Sequence, residues 1–370
     1  MKLTDTDVLI SGASVAGPTL AYWLCRSGFT PTVVEQTPAL RAGLGGHAVD
    51  LLGRSVDVAE WMGILPKVLA ARTQTELISL ERPGKSSVEV DVSRLVAGIS
   101  QRHVEIMRGE LTSILHEATR DDVEYRFGDS IRTLQQDGDG VEITFQHGPR
   151  RRFGLVVGAD GLHSGVRRLT FGEEARFRHW LGGYLGVFTV PNYLGLEGRM
   201  VAYPAPGRTA AIYPVRQTGE ARAVFLFRAT EELHYDHQDL EQQRRLLREA
   251  FAERAWELPR LLAELEHASD FYFDSISQIV MDTWSNGSRH RVPQLPEPDA
   301  GVRPALPDHR SDDDEDPHPP HTLQVWLTPQ LIRLVLRLPV ALQQKVLSLQ
   351  GGPARALEAI TLKDYEESAR

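Results

Sequence analysis

The sequence predicts an α/β fold in which a parallel-sheet nucleotide-binding domain is interleaved with an antiparallel-sheet domain and followed by C-terminal helices. Three observations predict it. Apolar strands run straight into glycine-bearing turns near residue 12 and again near residue 160. Short strands separated by Gly or Pro turns crowd the stretch from Phe177 to Trp284. Helical spacing of apolar residues returns at Leu331, Leu334, Val335 and Leu338.

The N-terminal element is Asp7-Val-Leu-Ile-Ser-Gly-Ala-Ser-Val-Ala-Gly17, an apolar strand entering a turn that holds Gly12, Ser14 and Gly17. A helix through Leu20, Ala21 and Leu24 follows, and then a second strand, Thr32-Val-Val-Glu35. This is the order of a Rossmann-like dinucleotide-binding βαβ unit. Gly12 permits the tight turn and Gly17 lets the helix pack close to the sheet. The helix N-terminus presents free N–H groups and a positive dipole end to a pyrophosphate. Glu35, at the tip of the second strand, can accept hydrogen bonds from a ribose diol. Ser14 replaces the middle glycine of the fingerprint and sets a side chain where a phosphate must approach. A ligand-free strand–helix turn fits the same residues.

A second turn lies in Phe153-Gly-Leu-Val-Val-Gly-Ala-Asp-Gly-Leu-His-Ser-Gly-Val-Arg167. It reads as a buried parallel strand, a glycine-rich turn and a helix start. Asp160 sits among small residues, where backbone can approach a ligand. Ser164 is placed to cap the helix, and Arg167 to pair with a carboxylate or phosphate. A purely structural corner also fits.

The next region reads differently. Tyr184–Val190, Met200–Tyr203, Thr209–Val215 and Ala223–Phe227 are short strands with turn signals at Pro204-Ala-Pro-Gly207 and Thr218-Gly219. Regular spacing of such strands predicts an antiparallel sheet. An amphipathic helix over residues 240–252 carries Leu246, Leu247, Ala250 and Phe251 on one face. A returning strand follows over residues 271–280.

Length and composition bound the function. The 370 residues leave room for two interlocked domains. A net charge of −9 gives no general support for a nucleic-acid partner. No run of about twenty apolar residues exists, so no membrane span is expected. The N-terminus enters the first strand almost at once, so no signal peptide is expected. Cys25 is the single cysteine, which removes internal disulfides and cysteine-based metal sites; it reads as a small buried hydrophobe. These features favour the cytoplasm. The histidines do not cluster at metal-ligand spacing, so no metal site is expected, and no catalytic side chain is assigned.

From about residue 5 to residue 287 the chain resembles the flavin-dependent aromatic monooxygenases, the group of p-hydroxybenzoate hydroxylase and the tetracycline-inactivating hydroxylases. The matching residues are Gly12-Ala-Ser-Val-Ala-Gly17, Glu35, Arg41, Gly45-Gly46 through Asp50, Arg108 in Ile106-Met-Arg-Gly-Glu-Leu111, and Gly158-Ala-Asp-Gly161 with Ser164 and Arg167. The resemblance implies an FAD-binding domain over 1–75 and 100–175 and a substrate domain over 76–99 and 176–284. It implies that Gly12, Ser14 and Gly17 hold the FAD pyrophosphate, Glu35 the adenosine ribose, and Arg108 the ribityl or phosphate part. Asp50 would sit near the flavin ring, Arg41 near the nicotinamide cofactor or the FAD phosphates, and Asp160 near FAD and NAD(P)H. Surface ion pairing remains open for Arg41 and Arg108, and a turn or cap role for Asp50. The antiparallel sheet would cover the flavin, with Tyr184, Phe188, Tyr213, Phe225 and Phe227 lining a substrate pocket or packing the core. NAD(P)H would reduce FAD, and O2 would then supply an oxygen atom to an aromatic, polyketide or antibiotic-like substrate.

The family's third signature, a strand and a Gly-Asp-Ala turn beside a long helix, is missing. The chain instead runs through residues 288–321, rich in Pro, Arg, His and Asp and without apolar periodicity. Such a composition predicts disorder, and a helical segment is expected over 322–370. Two origins fit the run: a frame-shifted or rearranged insert in a GC-rich gene, or a genuine linker with an acidic patch from Asp312 to Asp316. Three functional classes follow: an active FAD monooxygenase, a degenerate member with weak or no FAD binding, or another flavoenzyme of similar fold. A halogenase would carry a Trp-x-Trp-x-x-Ile motif, which the sequence lacks.

Overall fold

The computed structural model describes residues 7–40, 46–97, 100, 102–215 and 218–286. Arg41, the run 288–321 and the segment 322–370 lie outside the described residues. The chain opens with β1 (Asp7–Ser11), α1 (Ala16–Arg26), β2 (Thr30–Glu35), β3 (Ala48–Leu52), α2 (Arg54–Trp61), α3 (Leu65–Ala70), β4 (Leu77–Arg82) and β5 (Lys85–Asp91). It continues through α4 (Val92–Ala97), β6 (His103–Met107), α5 (Arg108–Glu117), β7 (Glu124–Phe127), β8 (Ile131–Asp137), β9 (Gly140–Phe145), β10 (Arg151–Phe153), β11 (Leu155–Gly158) and α6 (Gly165–Phe171). The last elements are β12 (Arg178–Pro191), β13 (Arg199–Ala205), β14 (Arg208–Val215), β15 (Glu220–Arg228), α7 (Leu240–Ala250), α8 (Leu258–Leu265) and β16 (Tyr272–Ile279).

A parallel sheet in the order β11-β1-β2-β7 anchors the N-terminal half. Its central strands are apolar on both sides because both faces are covered. Val8, Ile10 and Val33 pack on the α1 side with Ala21. Leu9 and Val34 pack on the other side against Val141, Ile143, Phe145 and Phe153 of the small antiparallel sheet β10-β9-β8. The chain leaves β1 toward β2 on one side and returns as β11 on the other. The ends of β1 and β11 therefore form a topological switch point, where open α/β sheets take their ligands.

A seven-stranded sheet in the order β16-β12-β15-β14-β13-β4-β5 forms the second layer system. The hairpin β4–β5 joins it from far upstream through parallel pairing of β4 with β13. This pairing is the physical content of the interleaving. One face of the sheet is covered: Tyr184, Phe188, Phe225, Phe227 and Phe273 are buried against Leu247 of α7 and Leu258, Leu261 and Leu265 of α8. Side chains alternate along a strand, so Leu226, Tyr272 and Ile276 emerge on the opposite face, each about two-fifths exposed. Helix α7 starts where Asp239 accepts the Gln242 N–H at 2.9 Å.

Four of the five aromatics expected as pocket candidates thus belong to the core. Tyr184, Phe188 and Phe225 are fully buried and Phe227 nearly so. Only Tyr213 lies on the face turned toward the first half of the chain, where it packs with Met107 and Val215. Alternation separates the two faces in sequence, but only the position of α7 and α8 decides which one is covered.

This assignment predicts opposite outcomes for neighbouring residues. Phe225→Ala should lower unfolding free energy by about 3–5 kcal/mol. Leu226→Ala should change it by about 1 kcal/mol or less. Denaturant unfolding of both variants checks the faces.

Candidate cofactor site

The site is built where two turns touch. Gly12 has φ +110°, in the region that favours glycine, and its N–H donates to Val34 O at 2.8 Å. A Cβ on Gly12 would collide with the backbone carbonyl of Ala159, and one on Gly17 with the carbonyl of Gly12. Both glycines are therefore required by backbone packing, before any ligand arrives. The second turn is stitched to the first strand: Ala159 N donates to Ser11 O at 2.8 Å, and Ser11 Oγ to Asp160 Oδ2 at 3.2 Å.

The two helices that leave these turns differ at their N-termini. Helix α6 is closed by its own side chains. Ser164 Oγ accepts the Arg167 N–H at 3.0 Å and donates to Asp160, whose Oδ2 also accepts the Val166 N–H at 3.1 Å. Arg167 is buried, hydrogen-bonded to Leu162 O and paired with Glu174 at 3.1 Å. Helix α1 has no side-chain cap and no acid in its first turn. Its first N–H groups and dipole end are the ones available to an anion.

Glu35 holds the α1 turn from the side. Its carboxylate accepts Ala13 N at 3.0 Å through Oε2, and Thr37 N and Oγ1 at 3.0 Å each through Oε1. A carboxylate has about four acceptor positions, so roughly one remains for a ligand hydroxyl. Arg108, first residue of α5, donates from Nε and Nη2 to Ser14 Oγ at 3.2 and 3.0 Å. Ser14 thereby sets a cation at the mouth of the turn. The Arg108 N–H donates to His47 O at 3.1 Å. Burial, and then the Arg108 charge, hold the His47 imidazole below its ordinary range and keep it neutral.

Gly12, Ser14, Gly17, Glu35, Arg108 and Asp160 are thus brought together. Asp50 is not joined to them: it pairs with His103 at 2.6 Å. It shares a strand face with Ala48, which packs with Met107, Tyr213 and Val215 across to the large sheet. The Ala48 N–H donates to Tyr213 Oη at 3.0 Å, and burial pushes the Tyr213 phenol up to about 12.

Two features escaped sequence reasoning. Arg222, almost fully buried, donates from Nε to Gly46 O at 3.1 Å and from Nη1 to Thr189. It links the large sheet to the segment preceding β3. Its only sequence signal is an arginine inside the apolar strand Glu220-Ala-Arg-Ala-Val-Phe225. The second feature is a meeting of His163, His237 and Asp274, residues too far apart in the chain for spacing to reveal.

A family model described as an FAD binding domain matches residues 5–284. A flavin-dependent monooxygenase of Legionella longbeachae is 35% identical over 76% of this chain and 72% of its own length. The chain belongs to the FAD-dependent monooxygenase family. An uncharacterized Mycobacterium tuberculosis protein is 43% identical, over 76% of this chain and 75% of its own. The crystal structure of the tetracycline destructase Tet(55) superposes with a TM-score of 0.68 at 35% identity, covering 77% of this chain and 72% of that one. Membership makes FAD the cofactor. The residues present fit it: a glycine cradle without room for a Cβ, an uncapped helix N-terminus and a cation beside it suit a pyrophosphate. Among the described residues no helix is long and apolar enough to cross a membrane.

Gly17→Val should abolish measurable FAD binding, because the branched side chain displaces α1 from Gly12. Glu35→Ala leaves the Ala13 N–H without its partner and should weaken FAD by about 1.5–3 kcal/mol, or about ten- to hundredfold. Flavin fluorescence titration measures both, and parental affinity in Gly17→Val would contradict the site.

Proposed function

We propose that the chain is a hydroxylase that uses NAD(P)H, O2 and FAD on an aromatic, polyketide or antibiotic-like substrate. The observation that carries this reading is that the anion-receptive turn and the open apolar sheet face border one junction, closed by Arg222 on Gly46 and Tyr213 on Ala48. Gly12, Ser14, Gly17 and Arg108 would hold the pyrophosphate. Glu35 would hold the adenosine ribose with its remaining acceptor position, and keep the turn open with the others. Asp160 would act by fixing the second turn beside the first. Asp50 would face the junction, and Arg41 would approach the phosphates or the nicotinamide.

When bound, FAD would supply the redox chemistry that couples NAD(P)H oxidation to insertion of one atom of O2 into substrate, the other leaving as water. The chain's own residues orient and exclude water. Leu226, Tyr272 and Ile276 offer an exposed apolar surface for a flat substrate. Tyr213, protonated at any physiological pH, keeps a proton to donate. The substrate class is supported by relatives that include a tetracycline destructase. The division into an FAD-binding unit over 1–75 and 100–175 and a substrate unit over 76–99 and 176–284 belongs to the same proposal, as does a cytoplasmic setting.

A second reading is favoured by one observation. The family match stops at residue 284, just before the run that replaces the Gly-Asp-Ala turn. Under it, the chain is a degenerate member of the family that binds FAD weakly or not at all and does not catalyse.

The test is NAD(P)H consumption by the FAD-supplemented chain with tetracyclines and other polycyclic phenols, with product mass measured. The proposal expects substrate-stimulated oxidation and a product heavier by one oxygen atom, lost when Leu226→Glu charges the open face. Flavin retained through dialysis without any oxygenated product would contradict the hydroxylase. Loss of flavin on dialysis, with no substrate-stimulated oxidation even under excess FAD, would select the second reading.

A further inference from the structure

His163, His237 and Asp274 come from three elements that the chain keeps apart: the turn entering α6, the connection after β15, and β16. One ligand atom from each lies within 4.8 Å of the other two. His163 Nε2 is 3.1 Å from Asp274 Oδ2, and the two imidazole rings are 4.1 Å apart between centroids. Asp274 is buried and oriented, its carboxylate accepting the Ser275 N–H at 2.7 Å and the Tyr272 hydroxyl at 3.2 Å. The other nitrogen of His163, Nδ1, meets Glu174 at 3.1 Å.

That last contact gives His163 a carboxylate at each ring nitrogen. A metal-bound imidazole almost always gives its second N–H to a carboxylate, which fixes the tautomer and leaves the opposite nitrogen's lone pair for the ion. Glu174 stands in that outer position. The local cations are already matched: Arg167 pairs with Glu174, and Arg178 with Glu232 and Glu174.

We propose that His163, His237 and Asp274 form a binding site for a zinc-class divalent cation. Two imidazole nitrogens and one carboxylate oxygen are the donor set of open three-ligand zinc sites, with water completing the sphere. Magnesium and calcium, which prefer oxygen ligands, are disfavoured. The ion replaces the proton shared by His163 and Asp274, and that proton leaves to solvent. His237 is exposed and supplies the adjustment needed to close the ligands to bonds of about 2.0–2.2 Å. The bound ion ties the second glycine turn to β16 of the large sheet.

The test is equilibrium dialysis of the chelator-treated full chain against zinc chloride, with thermal unfolding in parallel. The wild type should take up one zinc with a rise in Tm, and magnesium should do neither. His237→Ala removes an exposed side chain, so the fold persists, and should weaken zinc binding at least tenfold. Glu174→Gln should weaken it about ten- to hundredfold. Cys25→Ser should bind as the wild type does. No zinc uptake by the wild type, or equal uptake by His237→Ala, would overturn the proposal.

Discussion

The structure depends on one close approach of backbone: the carbonyls of Gly12 and Ala159 occupy space that a Cβ would need. That contact requires glycine at positions 12 and 17. It also forces the ends of β1 and β11 together. Ser11, Ala159 and Asp160 then lock the two turns with hydrogen bonds. Asp160 and Ser164 satisfy the start of α6 from within, whereas no side chain caps α1. This asymmetry leaves the start of α1, and not that of α6, open to an anion. The Asp160 carboxylate is taken up within the second turn, accepting hydrogen bonds from Ser11, Ser164 and Val166.

The large sheet separates a covered face from an accessible one. Helices α7 and α8 close one face with the aromatic core of Phe188, Phe225 and Phe273. The opposite face keeps Leu226, Tyr272 and Ile276 accessible. Arg222 and Tyr213 join this face to the backbone at Gly46 and Ala48 through side-chain hydrogen bonds. A sheet covered on one face and open on the other suits a flat substrate, because alternate residues do separate work: one set stabilises the fold and the other offers contact surface.

Most of the fold and part of the site were legible in the sequence. The strand–turn–helix at residues 7–17 and its partner at 153–167 were readable because glycine placement and apolar runs are local signals. Glu35 was found by its spacing, yet its bonds to Ala13 and Thr37 were not, since they depend on how the turn folds back. The link between Arg108 and Ser14 was invisible because it spans 94 positions. For the five aromatics of the antiparallel strands the sequence left pocket and core both open, because alternation does not say which face a later helix will cover. Arg222 left only a faint mark, and the histidine–aspartate cluster left none, because its members share no segment. Helix α8 went unread because it is short, at 8 residues, and carries Pro259 in its first turn.

The central claim is that FAD lies across the touching turns and reaches the junction with the open sheet face. Amide hydrogen exchange with and without FAD tests it most directly. Added FAD should slow exchange in the turn at residues 12–17, around Arg108 and at the segment near Ala48, and leave α7 and α8 unchanged. Protection confined to other parts of the chain, or no protection at saturating FAD, would contradict the account.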